Sequence, residues 1–95
     1  MVKYKLSNVA KEDLIRIHHY GVKQFGSIQA DIYFNAFFDC FNRISKQPIS
    51  FEVVDYIKLD YRRCVCGSDS IYFKIISDLI EIITIIGRQE LKNLQ

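Results

Sequence analysis

The chain has 95 residues, of which 49% are hydrophobic and 25% charged, with one proline and four glycines. This composition is typical of a globular protein and excludes a disordered, collagen-like or low-complexity chain. At this length folding buries roughly 65% of the surface of the unfolded chain, enough for one core, so we predict a single domain over residues 1–95. The net charge of +2 and the short basic runs do not indicate sequence-specific or phosphate-directed binding of nucleic acid.

The three cysteines are too few, and odd in number, for a disulfide framework: Cys40, Cys64 and Cys66. In a strand, the last two would point to the same face because they are two residues apart. A metal site would need further ligands, and the adjacent His18 and His19 diverge by about 100° on a helix. We therefore expect reduced thiols, no metal and no cofactor.

Neither end of the chain resembles a targeting or membrane segment. The first six residues lack the apolar region of a signal peptide. The longest apolar stretch, residues 79–86, is far shorter than the ~20 residues that span a bilayer. We expect a soluble cytoplasmic protein that does not contact membranes.

The first elements predicted along the chain are a short strand and a helix. Val2, Tyr4 and Leu6 alternate with lysines, as in a half-buried strand. Ser7 is a candidate N-cap, and Gly26 stands where a helix typically ends. Between them one helix face carries a stripe of small and apolar residues: Ala10, Leu14, Ile17, Gly21 and Phe25.

A second amphipathic helix follows, with Ser27 as its candidate N-cap and Pro48 as the residue that forbids its continuation. Its apolar stripe has helical spacing: Ala30, Phe34, Phe37, Phe41 and Ile44. The two helices predict an antiparallel hairpin whose small residues, among them Gly21 and Ala30, allow close approach. Core packing is the favoured role of the phenylalanine stripe.

The second half of the chain predicts strands. Residues 49–60 show no clean period and are expected to form a connection with a turn of helix or strand. Residues 61–66, 70–76 and 79–87 read as three strands separated by tight turns, which is an antiparallel meander. The fold class is therefore α+β, in the order β-α-α-β-β-β, with a helical hairpin packed on one face of a small antiparallel sheet and a short C-terminal tail.

The last strand is apolar on both faces. Strict alternation places Ile80, Ile82 and Ile86 on one face, with Ile83 and Ile85 on the other. A strand of this kind needs cover on both sides. The hairpin supplies one cover, and the tail or a partner protein must supply the other.

Four stretches carry a resemblance to the ParE branch of the ParE/RelE toxin superfamily of bacterial toxin–antitoxin modules. The first helix opens as Leu6-Ser7-x-x-Ala10-x-x-Asp13-Leu14-x-x-Ile17, and Phe25-Gly26 with Gln29-Ala30 and Tyr33 matches the helix junction. The most specific stretch is Tyr61-Arg62-Arg63-Cys64-x-x-Gly67-Ser68-x-x-Ile71-x-Phe73. Glu81-Ile82-x-x-Ile85-Ile86-Gly87-Arg88 resembles the final strand and the residues after it.

The resemblance implies a small toxin that a ParD-like antitoxin holds inactive in a hetero-oligomer. ParE-like members are known for poisoning DNA gyrase, whereas RelE-like members cut messenger RNA on the ribosome. The latter use an Arg in the middle strand, a basic residue after the last strand and a Tyr near the C terminus. The corresponding positions are Ser70, Arg88-Gln89 and Gln95. Because neither Ser70 nor Gln95 titrates near neutrality, we expect a gyrase inhibitor that is not an enzyme.

Two alternatives remain open: a ribosome-dependent messenger RNA endonuclease that uses Arg88, Lys74 and Arg62 or Arg63, and an inactive toxin-like domain that only pairs with its partner. The arginine pair places one side chain on each strand face, with either an ion pair, for example to Glu81, or a partner contact as its role. The candidate partner-binding residues are Arg62, Arg63, Lys74, Ile83, Ile85 and Arg88. Of the two isoleucines, the one that faces away from the hairpin is expected to contact the antitoxin.

Overall fold

The helices and strands follow one another in the predicted order, with one short strand added. The computed structural model describes residues 4–87. Its elements are β1 (Tyr4–Leu6), α1 (Asn8–Phe25), α2 (Ser27–Lys46), a 3-10 turn (Pro48–Ser50), β2 (Glu52–Val53), β3 (Arg62–Cys66), β4 (Asp69–Ile76) and β5 (Leu79–Gly87). The segment that showed no period thus contains a turn of helix and a two-residue strand.

Both ends of α1 form as predicted, but the start of α2 does not. The Ser7 hydroxyl accepts a hydrogen bond from the Ala10 amide at 3.0 Å, and Gly26 ends the helix with a φ of 88°. Ser27 is the first residue of α2 and makes no side-chain cap, because the single residue Gly26 links the two helices and occupies the N-cap position itself. No helix within residues 4–87 is both long and apolar enough to cross a bilayer.

The two helices approach closely where the small residues meet. A Cβ placed on Gly21 would lie 3.2 Å from the Cβ of Ala30, so the predicted contact is confirmed. Phe25 was wrongly assigned to the buried stripe, since 70% of its surface is exposed. All residues from 22 to 29 are exposed, which shows that this end of the hairpin extends beyond the sheet.

The sheet is mixed, whereas the sequence predicted an antiparallel one. Its strand order is β1-β5-β4-β3-β2. The β3-β4-β5 meander is antiparallel as predicted, but β1 lies parallel to β5, with Tyr4 opposite Ile80 and Leu6 opposite Ile82. Parallel neighbours need a long connection between them, and the hairpin together with β2, β3 and β4 provides it.

A β-bulge in β5 changes which isoleucines face the helices. Tyr72 pairs with Thr84 and Phe73 with Ile82, so Ile83 is an extra residue without a partner. The bulge shifts the alternation by one residue, and Ile85 joins the core side of the sheet. The strict alternation predicted for this strand is therefore wrong beyond Ile82.

The core lies between the helical hairpin and one face of the sheet. The predicted phenylalanine stripe packs there, with only Phe34 partly exposed. The fully buried side chains of this core include Phe37, Phe41, Ile44, Cys64, Ile71, Phe73, Ile82 and Ile85.

Side chains from the N-cap and the first turns of α1 bond the outer edge of β5 beyond the end of β1. The Ser7 hydroxyl donates to the carbonyl oxygen of Ile83 at 2.6 Å. One carboxylate oxygen of Asp13 accepts from the Ile85 amide at 2.9 Å and from the Thr84 hydroxyl at 2.7 Å. These bonds occupy backbone groups that an unprotected edge would offer to another strand.

Candidate functional site

The open face of the sheet, turned away from the helices, mixes charged and apolar side chains. Cross-strand partners share a face, so the register assigns the pairs Arg63 and Tyr72, Val65 and Ser70, and Lys74 and Glu81 to it. Its members include Lys5, Glu52, Arg63, Val65, Ser70, Tyr72, Lys74, Ile76, Leu79, Glu81, Thr84 and Ile86. Two of the six predicted site residues, Arg63 and Lys74, therefore lie on this face.

Arg62 and Arg63 point to opposite faces, as predicted. On the helix side, Arg62 donates to the carbonyl oxygen of Phe51 at 2.8 Å and so fastens the segment that precedes β2. On the open face, the Nε of Arg63 donates to Glu52 at 2.7 Å. Partial burial lowers the pKa of Arg63, but the side-chain interactions with Glu52 and Tyr72 and the negative charge of Glu52 together outweigh it, so that the net shift is upward.

An ion pair with Glu81, one of the two roles left open for the arginine pair, does not form; Arg63 is paired with Glu52 instead. Glu52 lies directly opposite Arg63 on the neighbouring strand, whereas Glu81 lies two strands away on β5. Glu81 instead lies beside Lys5, with 3.9 Å between the charged atoms, and opposite Lys74 in the register. The short β2 strand, which the sequence pattern did not reveal, supplies the partner.

The two candidate isoleucines have different surroundings. Ile85 is fully buried in the core under the hairpin. Ile83 is the bulged residue and only half-buried. Of the two, Ile83 is therefore the one whose side chain is accessible to a partner. Arg88, the last candidate, lies outside the described residues.

A shallow depression of about 190 Å³ lies at one end of the open face. It is formed where the β3–β4 turn meets the end of β5, and its lining includes Arg63, Val65, Ser68, Asp69, Ser70 and Ile86. Ser70 is thus part of it.

The side chain of Tyr33 in α2 makes hydrogen bonds to the β3–β4 turn. Its hydroxyl lies 2.6 Å from an Asp69 carboxylate oxygen and 3.0 Å from the Cys66 carbonyl oxygen, and it accepts from the Ser68 amide at 3.2 Å. Gly67 has a φ of 62°, and a Cβ there would lie 2.6 Å from the Tyr33 ring. Burial, followed by the bond to Asp69, raises the pKa of Tyr33 to about 12. Tyr33 therefore fixes the β3–β4 turn to α2 and is not a proton-transfer group at neutral pH.

The role of Tyr33 was missed at the level of sequence, although a signal was present. The junction motif contains Tyr33, and the turn motif contains Gly67. A glycine required by close approach of an aromatic ring is a non-local feature, which neither motif displays alone.

The groups at the depression do not form an acid–base pair. Among residues 4–87, the guanidinium at the depression is that of Arg63, and it is bonded to Glu52. The carboxylate at the depression is that of Asp69, and it is bonded to Tyr33. The imidazole of His18 is on the hairpin, bonded to Asp31 at 2.7 Å. Of the described residues, those that line the depression thus provide polar contacts for a partner and include no histidine or tyrosine.

The three cysteines converge under α2. Cys64 and Cys66 share the core face of β3, as predicted, and the sulfur of Cys66 lies 2.8 Å from that of Cys40. Within the described part of the chain, no group of three or more Cys, His, Asp or Glu residues is arranged to hold a metal ion.

The outer surface of the hairpin also exposes large apolar side chains. They lie on both helices, and the most exposed is Ile28, at 76%. Others are Ile15, Tyr20, Phe25 and Ile32. Scattered apolar residues are normal on protein surfaces, but a group of this size on one supersecondary unit is typical of a protein-binding surface.

Comparisons with known proteins identify the family and the fold to which these observations belong. A family model described as the ParE toxin of the type II toxin-antitoxin system, parDE, matches residues 4–91. A solved structure, the chromosomal ParDE TA system from P. aeruginosa, matches with a TM-score of 0.81 and 17% sequence identity, over 92% of this chain and 96% of that one. At this identity the second likeness shows the fold. No curated protein sequence matches.

Proposed function

Because the chain belongs to the ParE toxin family of type II toxin–antitoxin systems, as its motifs predicted, we propose that it arrests growth by binding DNA gyrase and that a cognate antitoxin neutralises it. The observation that carries the choice of target is the composition of the depression. Ser70 stands where a nuclease of this fold needs a cation, and Tyr33 and Asp69 are bonded to each other. A binding mode of action requires no proton transfer and fits these residues.

The surface supports a protein target better than a nucleic-acid target. The net charge is only +2, and Arg63 is already paired with Glu52. Exposed Val65 and Ile76 lie on the same face as Arg63. A face that combines apolar side chains with a paired charge suits a protein partner, whereas binding to phosphates needs unpaired cations.

The proposed antitoxin contact is the open face next to the bulge of β5. Ile83 is half-buried without belonging to the core, so a covering segment would remove apolar surface from water. Lys74 on the neighbouring strand β4, and Arg63 one strand further across the open face, provide polar contacts for the same segment. The solved relative is itself described as a ParDE system, which supports a hetero-oligomer with an antitoxin.

Induction of the chain without its antitoxin tests the choice of target in cells. We expect growth arrest with accumulation of DNA breaks and intact transcripts. Codon-associated cuts in messenger RNA with unbroken DNA would instead favour a RelE-like endonuclease. Unimpaired growth at confirmed expression would show a domain that has lost its toxic activity.

A charge at the bulge tests the antitoxin contact. We expect Ile83→Lys to weaken antitoxin binding at least tenfold, because it leaves an unpaired charge in an apolar interface. Leu59→Lys, at a 72% exposed position between β2 and β3, is the matched control and is expected to leave affinity unchanged, whereas Ile28→Lys tests the exposed hairpin surface. Thermal melting of all three variants verifies the fold. Weakened binding by Ile28→Lys alone would move the antitoxin to the hairpin.

A further inference from the structure

Three thiols lie together between α2 and β3, at a place that the proposed function does not use. Cys40 comes from α2, and Cys64 and Cys66 come from the core face of β3. Their exposed fractions are 9%, 1% and 5%, respectively. Cys40 is thus the most exposed of the three residues.

The sulfur positions distinguish one pair from the third thiol. The sulfurs of Cys40 and Cys66 are 2.8 Å apart, about 0.8 Å longer than a disulfide bond. The sulfur of Cys64 is instead engaged by the guanidinium of Arg43, at 3.3 Å, while the same guanidinium lies 3.9 Å from Cys40. The side chains of Cys40 in α2 and Cys66 in β3 therefore already face each other, with their sulfurs close to the separation of a disulfide bond.

We propose that Cys40 and Cys66 form a disulfide that joins α2 to β3 when the protein meets a small-molecule disulfide such as oxidised glutathione. In the first exchange the Cys40 thiolate attacks one sulfur of the oxidant, and a mixed disulfide forms as one glutathione thiolate leaves. In the second, the Cys66 thiolate attacks the Cys40 sulfur and the second glutathione leaves. The two protein thiols are oxidised, and one glutathione disulfide is reduced to two thiols.

The surroundings of the thiols set the order and the pH dependence of these steps. Burial raises the pKa of Cys66 and of Cys64, so both stay protonated and unreactive near neutrality. The more exposed Cys40 reacts first, beside the positive charge of Arg43. Because Cys66 must lose its proton to complete the bond, disulfide formation accelerates as the pH rises.

The cross-link would stabilise the folded chain. Cys40 and Cys66 are 26 positions apart, and closing a loop of that length lowers the unfolding equilibrium constant roughly several hundredfold in the chain-entropy account. The disulfide would fix the packing of α2 on β3 without any change in the open face. The inference does not depend on gyrase or on the antitoxin.

Peptide mapping of the oxidised full-length chain tests the pairing. The folded protein is incubated with oxidised glutathione at pH 8.5, and its disulfides are identified by mass spectrometry without a variant. We expect one intramolecular disulfide, between Cys40 and Cys66, that dithiothreitol reverses. Cys64→Ser is the matched control, and we expect it to retain the bond.

Chemical denaturation gives a second readout. The oxidised wild type and oxidised Cys64→Ser are expected to unfold at higher denaturant concentration than their reduced forms, whereas Cys40→Ala is expected to show no such shift. Three free thiols after prolonged oxidation of the folded chain would overturn the proposal. A mapped disulfide that contains Cys64 would overturn the proposed pairing. A Cys40–Cys66 bond with no gain in stability would overturn its proposed stabilising effect.

Discussion

Gly67→Ala tests the fit between the β3–β4 turn and α2. The new methyl group would lie 2.6 Å from the Cε1 atom and 2.7 Å from the hydroxyl oxygen of Tyr33. No side chain can keep these distances, so the Tyr33 ring must move. Its hydroxyl would then leave the Ser68 amide and the Cys66 carbonyl, which it now contacts at 3.2 and 3.0 Å.

The expected cost has two parts. An L-residue at the φ of 62° found at Gly67 costs about 1–2 kcal/mol in backbone strain. Loss of the hydrogen bonds of the partly buried Tyr33 adds about 1–3 kcal/mol. The free energy of unfolding should therefore fall by roughly 2–5 kcal/mol, which for a chain of this size lowers Tm by roughly 10 °C or more.

A double-mutant cycle separates the two parts. Urea denaturation is measured for the wild type, Gly67→Ala, Tyr33→Ala and the double variant. Without the tyrosine ring only the backbone strain remains, so Gly67→Ala should cost about 1–2 kcal/mol in the Tyr33→Ala background. Equal costs in the two backgrounds would refute the proposed contact.

Three further predictions concern stability. Asp13→Ala should lower the free energy of unfolding by about 1–3 kcal/mol in urea, because it removes the carboxylate oxygen that accepts from the edge of β5; the control Asp31→Ala, on the exposed hairpin surface, should change it by less than about 0.5 kcal/mol. The pKa of Tyr33 is about 12 in the folded chain against 10.0 in the unfolded chain. The stabilisation that follows from this difference is complete below pH 10 and is lost as the pH rises towards 12. That alkaline loss should shrink in Tyr33→Phe, and an unchanged pH profile would contradict it. Phe37→Ala should cost about 3–5 kcal/mol, but Phe25→Ala little, because only Phe37 is buried; equal costs would restore Phe25 to the core.

Local patterns predicted the elements well. The hydroxyl of Ser7 and the conformational freedom of Gly26 act within a few residues, so the ends of α1 were predictable from the sequence. The apolar runs bounded by turn residues likewise indicated β3, β4 and β5. These features depend on neighbours in the chain, which is the information that a sequence displays directly.

The errors concern contacts between distant parts of the chain. Nothing in residues 2–6 specifies that β1 pairs in parallel with β5, and the bulge at Ile83 depends on the register with β4. One inserted residue was enough to move Ile85 from a predicted surface to the core. The pairing of Arg63 with Glu52 likewise depends on β2, whose two residues carry no strand pattern.

The candidate site was predictable in part for the same reason. The opposite directions of Arg62 and Arg63 follow from the period of a strand, and the register confirms them. Two contacts join α2 to the β3–β4 region: the hydrogen bonds of Tyr33 and the approach of Cys40 to Cys66. Spacing in the sequence carries no signal for either contact.

Gyrase supercoiling with purified components tests the central claim most directly. The full-length chain is added to DNA gyrase, ATP and relaxed plasmid, and then the antitoxin is added in a parallel reaction. The account predicts that supercoiling is inhibited, that cleaved plasmid accumulates, and that the antitoxin abolishes both effects. Unchanged supercoiling by a toxin preparation that still arrests growth, together with ribosome-dependent cutting of messenger RNA, would contradict it.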